Sequence, residues 1–275
     1  MSSMIFGFTP ILAKITYFAG NNSINLVFFR AFLALPILFG ILAMKKTSIR
    51  PRKREVLPLF LNGLATAATA LLLYEAYTYI GVGIATVVHF SYPLFVVIVL
   101  RIFFGERMGT SRLTALLLGF LGIVLLTDIG GGISLAGFLF ALLSALAFCA
   151  KVIVLDKSVL CGTPTIKVTL YSCLTEAVVA LLVGIPAGAI TFRQSAEGWL
   201  FTAAIAVLLS VVGLPCFKFG VERVGGATAA ILSVLEPITS VVLGALLFQE
   251  RLDAVKVAGM LLIIAAIIII SLNEA

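Results

Sequence analysis

Six ionisable side chains lie within long apolar stretches of this 275-residue sequence. They are Lys14, Arg30, Glu75, His89, Glu176 and Glu236. A charged group in an apolar interior is costly unless it faces protein or water, and such groups commonly mark substrate or proton pathways. Each of the six is therefore a candidate for a binding site or a proton-transfer step.

Two stretches of the chain place polar residues on one helical face. The first face comprises Ala85, His89, Tyr92 and Val96. The second, which matches it in an internal repeat, comprises Ala229, Ser233, Glu236 and Ser240. Within each face the spacing is i, i+4, i+7 and i+11, which aligns residues along one side of a helix. We expect the two faces to line a central cavity; the alternative is that their polar groups are satisfied by neighbouring helices.

Glu236 and His89 are the candidates for proton coupling. A carboxyl group buried near the middle of an apolar helix is either paired with a cation or protonated, so Glu236 could hold a substrate ammonium group or carry a proton. Imidazole titrates near neutral pH, which suits proton linkage at His89, and a structural histidine is the alternative. No Cys or Asp is suitably spaced beside His89, so we expect no metal site.

The other four ionisable residues have competing interpretations. Glu75 lies toward one end of its apolar segment and is a further candidate for the cavity. Glu176 continues a polar stripe, so it either lines the cavity or forms a buried ion pair with a basic partner. Arg30 lies about two turns from a membrane surface, and we expect its side chain to extend to that surface. Lys14 either does the same or meets a substrate carboxylate.

The composition excludes an ordinary soluble protein. Hydrophobic residues make up 62% of the chain and charged residues 11%, whereas a soluble domain carries about 25% charged residues. The mean hydropathy is +1.23. Stretches such as 261–270 are apolar on every side, whereas the strands of a membrane barrel alternate. The predicted fold class is therefore all-α, a polytopic membrane protein.

Ten apolar segments, separated by Gly, Pro and charged residues, predict ten transmembrane helices, since each crossing needs about 20 apolar residues. The segments are 3–20, 24–44, 56–79, 82–104, 112–128, 133–155, 164–187, 197–217, 227–248 and 254–271. No sequence between them is long enough for a separate soluble domain.

The distribution of basic residues predicts the orientation. With a cytoplasmic N-terminus, fourteen Lys and Arg residues fall in inner loops and their flanks, among them Lys151, Lys167 and Lys218, against three on the outer side. By the positive-inside rule both termini face the cytoplasm, and the protein is expected in the inner or plasma membrane. The basic run from Lys45 to Arg54 is expected to rest against anionic lipid head groups.

The chain repeats itself when it is shifted by 144 residues. Seven of the 27 positions from 81 to 107 are then identical, including Gly81 with Gly225 and Pro93 with Pro237. This pattern indicates a duplication of five helices, with repeats over 1–130 and 131–275. Because each half has an odd number of crossings, the second half is inverted relative to the first. Such inverted repeats place a substrate site near the membrane midplane, between the halves.

Several short motifs accompany the repeat. They are Phe6-Gly7 with Lys14, Arg30, Tyr92-Pro93, Gly105-Glu106-Arg107, Glu236-Pro237 and Gln249-Glu250-Arg251. In these motifs the chain resembles the ten-helix members of the drug/metabolite transporter superfamily that carry two EamA-type repeats. The resemblance covers nearly the whole chain. The resemblance implies a transporter, in a group that includes exporters of amino acids and other metabolites. The first helix lacks the acidic residue that four-helix multidrug members carry, so their proton-exchange site is not expected here.

The Glu-Arg pairs at 106–107 and 250–251 fall at predicted helix ends. We expect them to form helix-end hydrogen bonds and salt bridges between the repeats rather than to take part in transport.

Sequence motifs of common enzymes are missing. The chain has no Walker A, GxSxG or HExxH motif, so a gradient rather than a P-loop ATPase would drive transport. No catalytic residue, cofactor, metal or nucleic-acid partner is expected, and an intramembrane enzyme is a distant alternative. The expected partners are a small-molecule substrate and the lipid bilayer, with a monomer and a homodimer both open.

The expected function is secondary transport, in the direction of export, of a small polar metabolite by alternating access. Carboxylates, a tyrosine, a histidine and nearby bases suit an amino acid or a related zwitterion. An exporter of small organic cations or drugs is the alternative, since such a site needs only acids and aromatic rings. A sugar phosphate would need clustered Lys and Arg in the cavity.

Overall fold

The part of the chain that the structure describes is mainly helical. The structure is a computed structural model, and it describes residues 2–106, 109–126, 134–239, 242 and 254–274. No strand occurs within these ranges. Because hydrocarbon offers no hydrogen bonds to the backbone, an apolar segment is stable there when its own helix satisfies each N–H and C=O.

The helices follow the predicted apolar segments in order. They are α1 (Ser2–Phe18), α2 (Ser23–Met44), α3 (Lys53–Tyr79), α4 (Val82–His89), α5 (Tyr92–Phe104), α6 (Thr110–Leu126), α7 (Leu135–Lys157), α8 (Thr165–Gly184), α9 (Ala196–Ile205), α10 (Leu214–Leu232) and α11 (Ala254–Glu274). Residues 235–239 are also helical. A short 3₁₀ helix, Val159–Gly162, connects α7 to α8.

Several of these helices are long and apolar enough to cross a membrane. Within the described ranges six spans qualify: Ser23–Met44, Lys53–Tyr79, Ile84–Phe104, Leu135–Lys157, Thr165–Gly184 and Ala196–Leu232. Thr110–Leu125 and Ala254–Ile269 are shorter apolar helices. By length and composition, the protein is therefore a multi-pass membrane protein.

The predicted segment 82–104 is divided into two helices. α4 ends at His89, a turn covers Phe90 and Ser91, and α5 begins at Tyr92. Pro93 explains the division, because it has no N–H to donate to the carbonyl of His89 four residues earlier. The break places the last residue of α4 and the first residue of α5 side by side.

The predicted boundary at residue 217 is wrong. α9 continues through a π-helical turn, Ala206–Gly213, directly into α10. The charge of Lys218 does not end the helix, because Lys218 pairs with Glu222 one turn later. The regular helix is interrupted instead at Gly225, whose φ of 80° and ψ of 162° are accessible mainly to glycine.

Small residues allow close approach between the central helices. α3 packs against α7 and α8, and α6 packs against α11. A Cβ added at Gly63 on α3 would lie 2.5 Å from Cβ of Thr175 on α8. One added at Gly122 on α6 would lie 2.7 Å from the carbonyl oxygen of Gly259 on α11. Such contacts let membrane helices pack without a hydrophobic driving force.

Some predicted features lie outside the described residues. They are the boundary between the repeats near residue 130, Arg107, Ser240, Gln249, Glu250 and Arg251.

The close packing of α3 on α8 predicts that Gly63→Val destabilises the protein, by about 1–3 kcal/mol, because the new side chain overlaps Thr175. The measurement is thermal unfolding of the purified protein in detergent. Gly40→Val in α2 is the matched control, since a Cβ there meets nothing within 4 Å. Equal losses of stability in the two variants would contradict this packing.

Candidate functional site

A cavity lies between helices α1, α2, α3, α4, α5, α7 and α10. Its polar lining residues are Thr9, Arg30, Thr66, Thr69, Tyr74, Tyr77, His89, Tyr92, Lys151 and Glu236. The remaining lining residues are Phe6, Pro10, Ala70, Leu73, Phe148, Leu209 and Leu214. Its water-accessible volume is about 90 Å³, and one water needs about 10–15 Å³ of such space. The cavity therefore has room for several waters or a small solute.

Glu236 reaches the cavity because the backbone is irregular beside it. Pro237 cannot donate to the carbonyl of Ser233, which instead accepts the N–H of Glu236 at 2.9 Å. Gly7 lets α1 approach this turn, since a Cβ at Gly7 would lie 2.7 Å from the carbonyl oxygen of Glu236. Within the described ranges no Lys or Arg forms an ion pair with the Glu236 carboxylate.

His89 is buried at the end of α4, and its hydrogen bonds indicate which ring nitrogen carries the proton. Its Nδ1 lies 2.9 Å from Oγ of Ser144, and that hydroxyl donates to the carbonyl oxygen of Ala141 at 2.6 Å. Since a hydroxyl has one hydrogen, Nδ1 of His89 must be the donor to Ser144. In the neutral ring Nε2 is then the basic atom, available to accept a proton.

Tyr92 is buried in an aromatic cluster. Its ring centroid lies 4.4 Å from that of Phe148 and 5.4 Å from that of His89. Its hydroxyl lies 3.5 Å from the carbonyl oxygen of Ala230, and its side chain hydrogen-bonds that of Ser233. Ser233 itself is buried, donates its hydroxyl to the carbonyl oxygen of Ala229 at 2.9 Å and lies outside the cavity lining.

Arg30 and Glu176 form a buried ion pair beside the cavity. Their side chains are 3% and 0% exposed. The Arg30 guanidinium also lies 3.5 Å from Oγ of Ser210 and 5.8 Å from the centre of the Tyr74 ring. The prediction that Arg30 extends to the membrane surface is wrong, because Glu176 provides a partner inside the bundle. Of the two alternatives for Glu176, the structure shows the ion pair.

Lys151 is a basic residue of the cavity lining that the sequence-based site lacks. It is 5% exposed on α7, so its assignment to a basic loop flank is wrong. Its Nζ lies 4.9 Å from the centre of the Phe148 ring and 5.7 Å from that of Phe217. Ser144, Phe148 and Lys151 are spaced i, i+4 and i+7, which places them on one face of α7. This spacing could have indicated from the sequence that Lys151 lies on the same face as Ser144 and Phe148.

Glu75 and Lys14 lie away from the cavity lining. Oε2 of Glu75 accepts a hydrogen bond from the hydroxyl of Ser23 at 2.7 Å, which ties α3 to α2. Lys14 is exposed on α1. The structure therefore brings Glu236, His89 and Tyr92 together at one cavity, with Glu176 behind Arg30, and leaves Glu75 outside.

One predicted salt bridge between the two halves of the chain is present. Glu106, just beyond the end of α5, pairs with Lys157 at the end of α7. Lys157 also lies 3.0 Å from Asp156. These side chains surround a separate pocket beside Gly225, so the pair connects helix ends and lies apart from the central cavity. The predicted salt bridge at Glu106 is confirmed.

These observations define a class, namely a multi-pass α-helical membrane protein whose helices enclose a cavity lined by ionisable side chains. The family model for the EamA-like transporter family matches the chain twice, over residues 1–128 and 135–272. The chain belongs to this family, within the drug/metabolite transporter superfamily, and it is a transporter rather than an enzyme.

Similar proteins agree with this family and with the fold. An uncharacterized transporter of Archaeoglobus fulgidus is 25% identical over 91% of this chain and 87% of its own length. The uncharacterized transporter YvbV of Bacillus subtilis is 25% identical over 80% of this chain and 73% of its own. A crystal structure with a TM-score of 0.83 and 17% identity covers 99% of this chain and 94% of its own, which shows the shared fold.

The buried ion pair predicts that Glu176→Leu destabilises the protein strongly, by about 3–5 kcal/mol, because it leaves Arg30 buried without its counter-charge. Thermal unfolding in detergent measures the loss. The double variant Arg30→Met with Glu176→Leu should recover much of it, since both charges are then gone.

The partly exposed pair of Lys157 with Glu106 provides the control. Lys157→Met should cost no more than about 1 kcal/mol, because solvent screens this pair. If Glu176→Leu were as mild as Lys157→Met, the interaction with Arg30 would not be the buried pair described above.

Proposed function

We propose that this protein exports a small zwitterionic metabolite, such as an amino acid, by alternating access around the central cavity. The observation that carries the proposal is the presence of ionisable side chains of both signs in the lining of one small cavity, namely Glu236 and Lys151, with Arg30 paired to Glu176. An ammonium group and a carboxylate on one molecule complement such a lining.

The same lining argues against the alternative cargoes. A small organic cation needs acids and aromatic rings, and Lys151, which forms no ion pair with a described carboxylate, would repel it. A sugar phosphate needs several free cations, whereas Arg30 is already neutralised by Glu176. The water-accessible volume of about 90 Å³ also favours a small molecule.

Inverted repeats would explain how such a cavity opens to each side in turn. In support, the family model matches twice, and irregular backbone recurs 143 or 144 residues apart. Gly81 precedes α4 and Gly225 interrupts α10, while turns follow His89 and Leu232. In this proposal the repeats divide near residue 130 and both termini are cytoplasmic.

Proton coupling in this proposal uses Glu236 and His89. A carboxylate without an ion-pair partner can exchange a proton for a substrate ammonium group, so that one displaces the other. Nε2 of His89 is the second proton acceptor at the same cavity. The gradient of protons would then supply the energy for export.

A cargo must first be identified before these residues can be tested. A thermal-shift screen of amino acids, amines and nucleosides on the purified protein serves this purpose, because a ligand that binds the folded state stabilises it by mass action.

Glu236→Gln is expected to reduce proton-driven transport in proteoliposomes about tenfold or more, because glutamine keeps the size but loses the charge and the exchangeable proton. Glu75→Gln is the matched control, since Glu75 is bonded to Ser23 outside the cavity, and it should transport normally. Unchanged transport and pH dependence in Glu236→Gln would remove this residue from the mechanism.

Tyr92→Ala is expected to change the competition profile among amines and amino acids, because it removes an aromatic wall of the cavity. Tyr92→Phe keeps the ring and should keep the profile. The measurement is inhibition of labelled cargo uptake by each competitor. A profile that is the same in all three proteins would show that Tyr92 does not contact the cargo.

A further inference from the structure

The buried lysines of this protein have different surroundings. Within the described ranges they are Lys151, Lys167 and Lys218. Lys167 lies 2.7 Å from Oε2 of Glu55 and also donates to the carbonyl oxygen of Arg50 at 2.9 Å. Lys218 pairs with Glu222. Lys151 alone among the three forms no ion pair with a described carboxylate, although an unpaired buried ammonium group is costly.

The ammonium group of Lys151 contacts aromatic rings, which do not neutralise its charge. Phe148 and Phe217 face its ammonium group at 4.9 and 5.7 Å. A cation over a ring face is stabilised by less than the cost of removing a full charge from water. The ammonium group lines the cavity, so an anion that enters the cavity would supply the missing charge.

Of the other ionisable groups at the cavity, Arg30 is committed to Glu176, and Glu236 lines the cavity without an ion pair to a described base. The Glu176 carboxylate is bound to Arg30, which also contacts Ser210 and Tyr74. Arg30 is thus fixed by several contacts, whereas a lysine ammonium group has three donors on a flexible stem and can turn toward a new partner. Lys151 is therefore better suited than Arg30 to bind and release an anion during each transport cycle.

We propose that Lys151 binds the carboxylate of the cargo and makes the transporter select molecules that carry a carboxylate over the corresponding amines. This inference rests on the proposed function, since it concerns the same cavity. Glu236, which lines the cavity without an ion pair, would hold the ammonium group at the other end of the molecule.

The first test compares amino acids with amines that lack only the carboxylate, namely L-leucine with isoamylamine and L-phenylalanine with phenethylamine. In proteoliposomes, Lys151→Met should lower amino-acid transport about tenfold or more while amine transport persists or rises. Lys151→Arg should retain the preference, and Lys14→Met, on an exposed lysine of α1, is the control that should change nothing. Equal loss of both cargoes in Lys151→Met would overturn the inference.

The second test needs no cargo. In a background whose four native cysteines are alanine, Leu73→Cys places a thiol in the cavity lining. The anionic reagent methanethiosulfonate ethylsulfonate should react faster, relative to a trimethylammonium analogue, when Lys151 is present. Lys151→Met should lower this ratio of rates about tenfold, because a fixed charge concentrates counter-ions in a cleft. An unchanged ratio would overturn the inference.

The two tests separate the failure of the inference from that of the proposed function. If the unaltered protein transports none of a wide panel of amino acids and amines, the proposed function fails, and the ratio of thiol reactivities still decides whether Lys151 attracts anions. If amino acids are transported and Lys151→Met transports them normally, the function stands and the role of Lys151 is wrong.

Discussion

The cost of an unpaired charge in an apolar interior constrains this whole structure. Arg30 on α2 is neutralised by Glu176 on α8, and Lys167 on α8 is neutralised by Glu55 on α3. The amide of Asn62 on α3 adds a hydrogen bond to α8 at 2.7 Å from Oγ of Ser172. These contacts connect α2, α8 and α3, so the requirement for charge neutrality also fixes which helices are neighbours. Lys151 differs from these residues, because it forms no ion pair with any carboxylate in the part of the chain that the structure describes.

Ion pairs hold the helices together, whereas irregular backbone brings together side chains that regular helices would keep apart. The turns before Tyr92 and before residues 235–239 each precede a proline. At the first turn His89 and Tyr92 become neighbours, with ring centroids 5.4 Å apart. At the second, Glu236 enters the cavity beside α1. Each proline thus removes a backbone hydrogen bond. The resulting turns place His89, Tyr92 and Glu236 at one site.

Local patterns in the sequence predict much of this fold, and contacts between distant residues account for the rest. The helical faces that contain His89 and Glu236 follow from spacing alone. Arg30 and Glu176 are 146 positions apart in the sequence, so their pairing cannot be predicted from local patterns. In the sequence, Lys151 lies near the end of its apolar segment, where basic residues usually flank a membrane helix. Its burial depends on the packing of α7 against other helices, which the sequence of α7 alone does not show. The boundary at Gly225 depends on a backbone conformation that hydropathy does not measure.

The cavity also lies where the two stretches matched by the family model meet. His89 and Tyr92 belong to the first stretch, and their partners Ser144 and Phe148 lie on α7 in the second. Relative movement of the two stretches would therefore break the Nδ1 contact of His89 and the ring contact of Tyr92 before it altered either stretch internally. Since Lys151 stands one turn from Phe148 on α7, the same movement changes the surroundings of its ammonium group. In the proposed mechanism, a binding site built from the contact between the two stretches would change its affinity as they move, as alternating access requires.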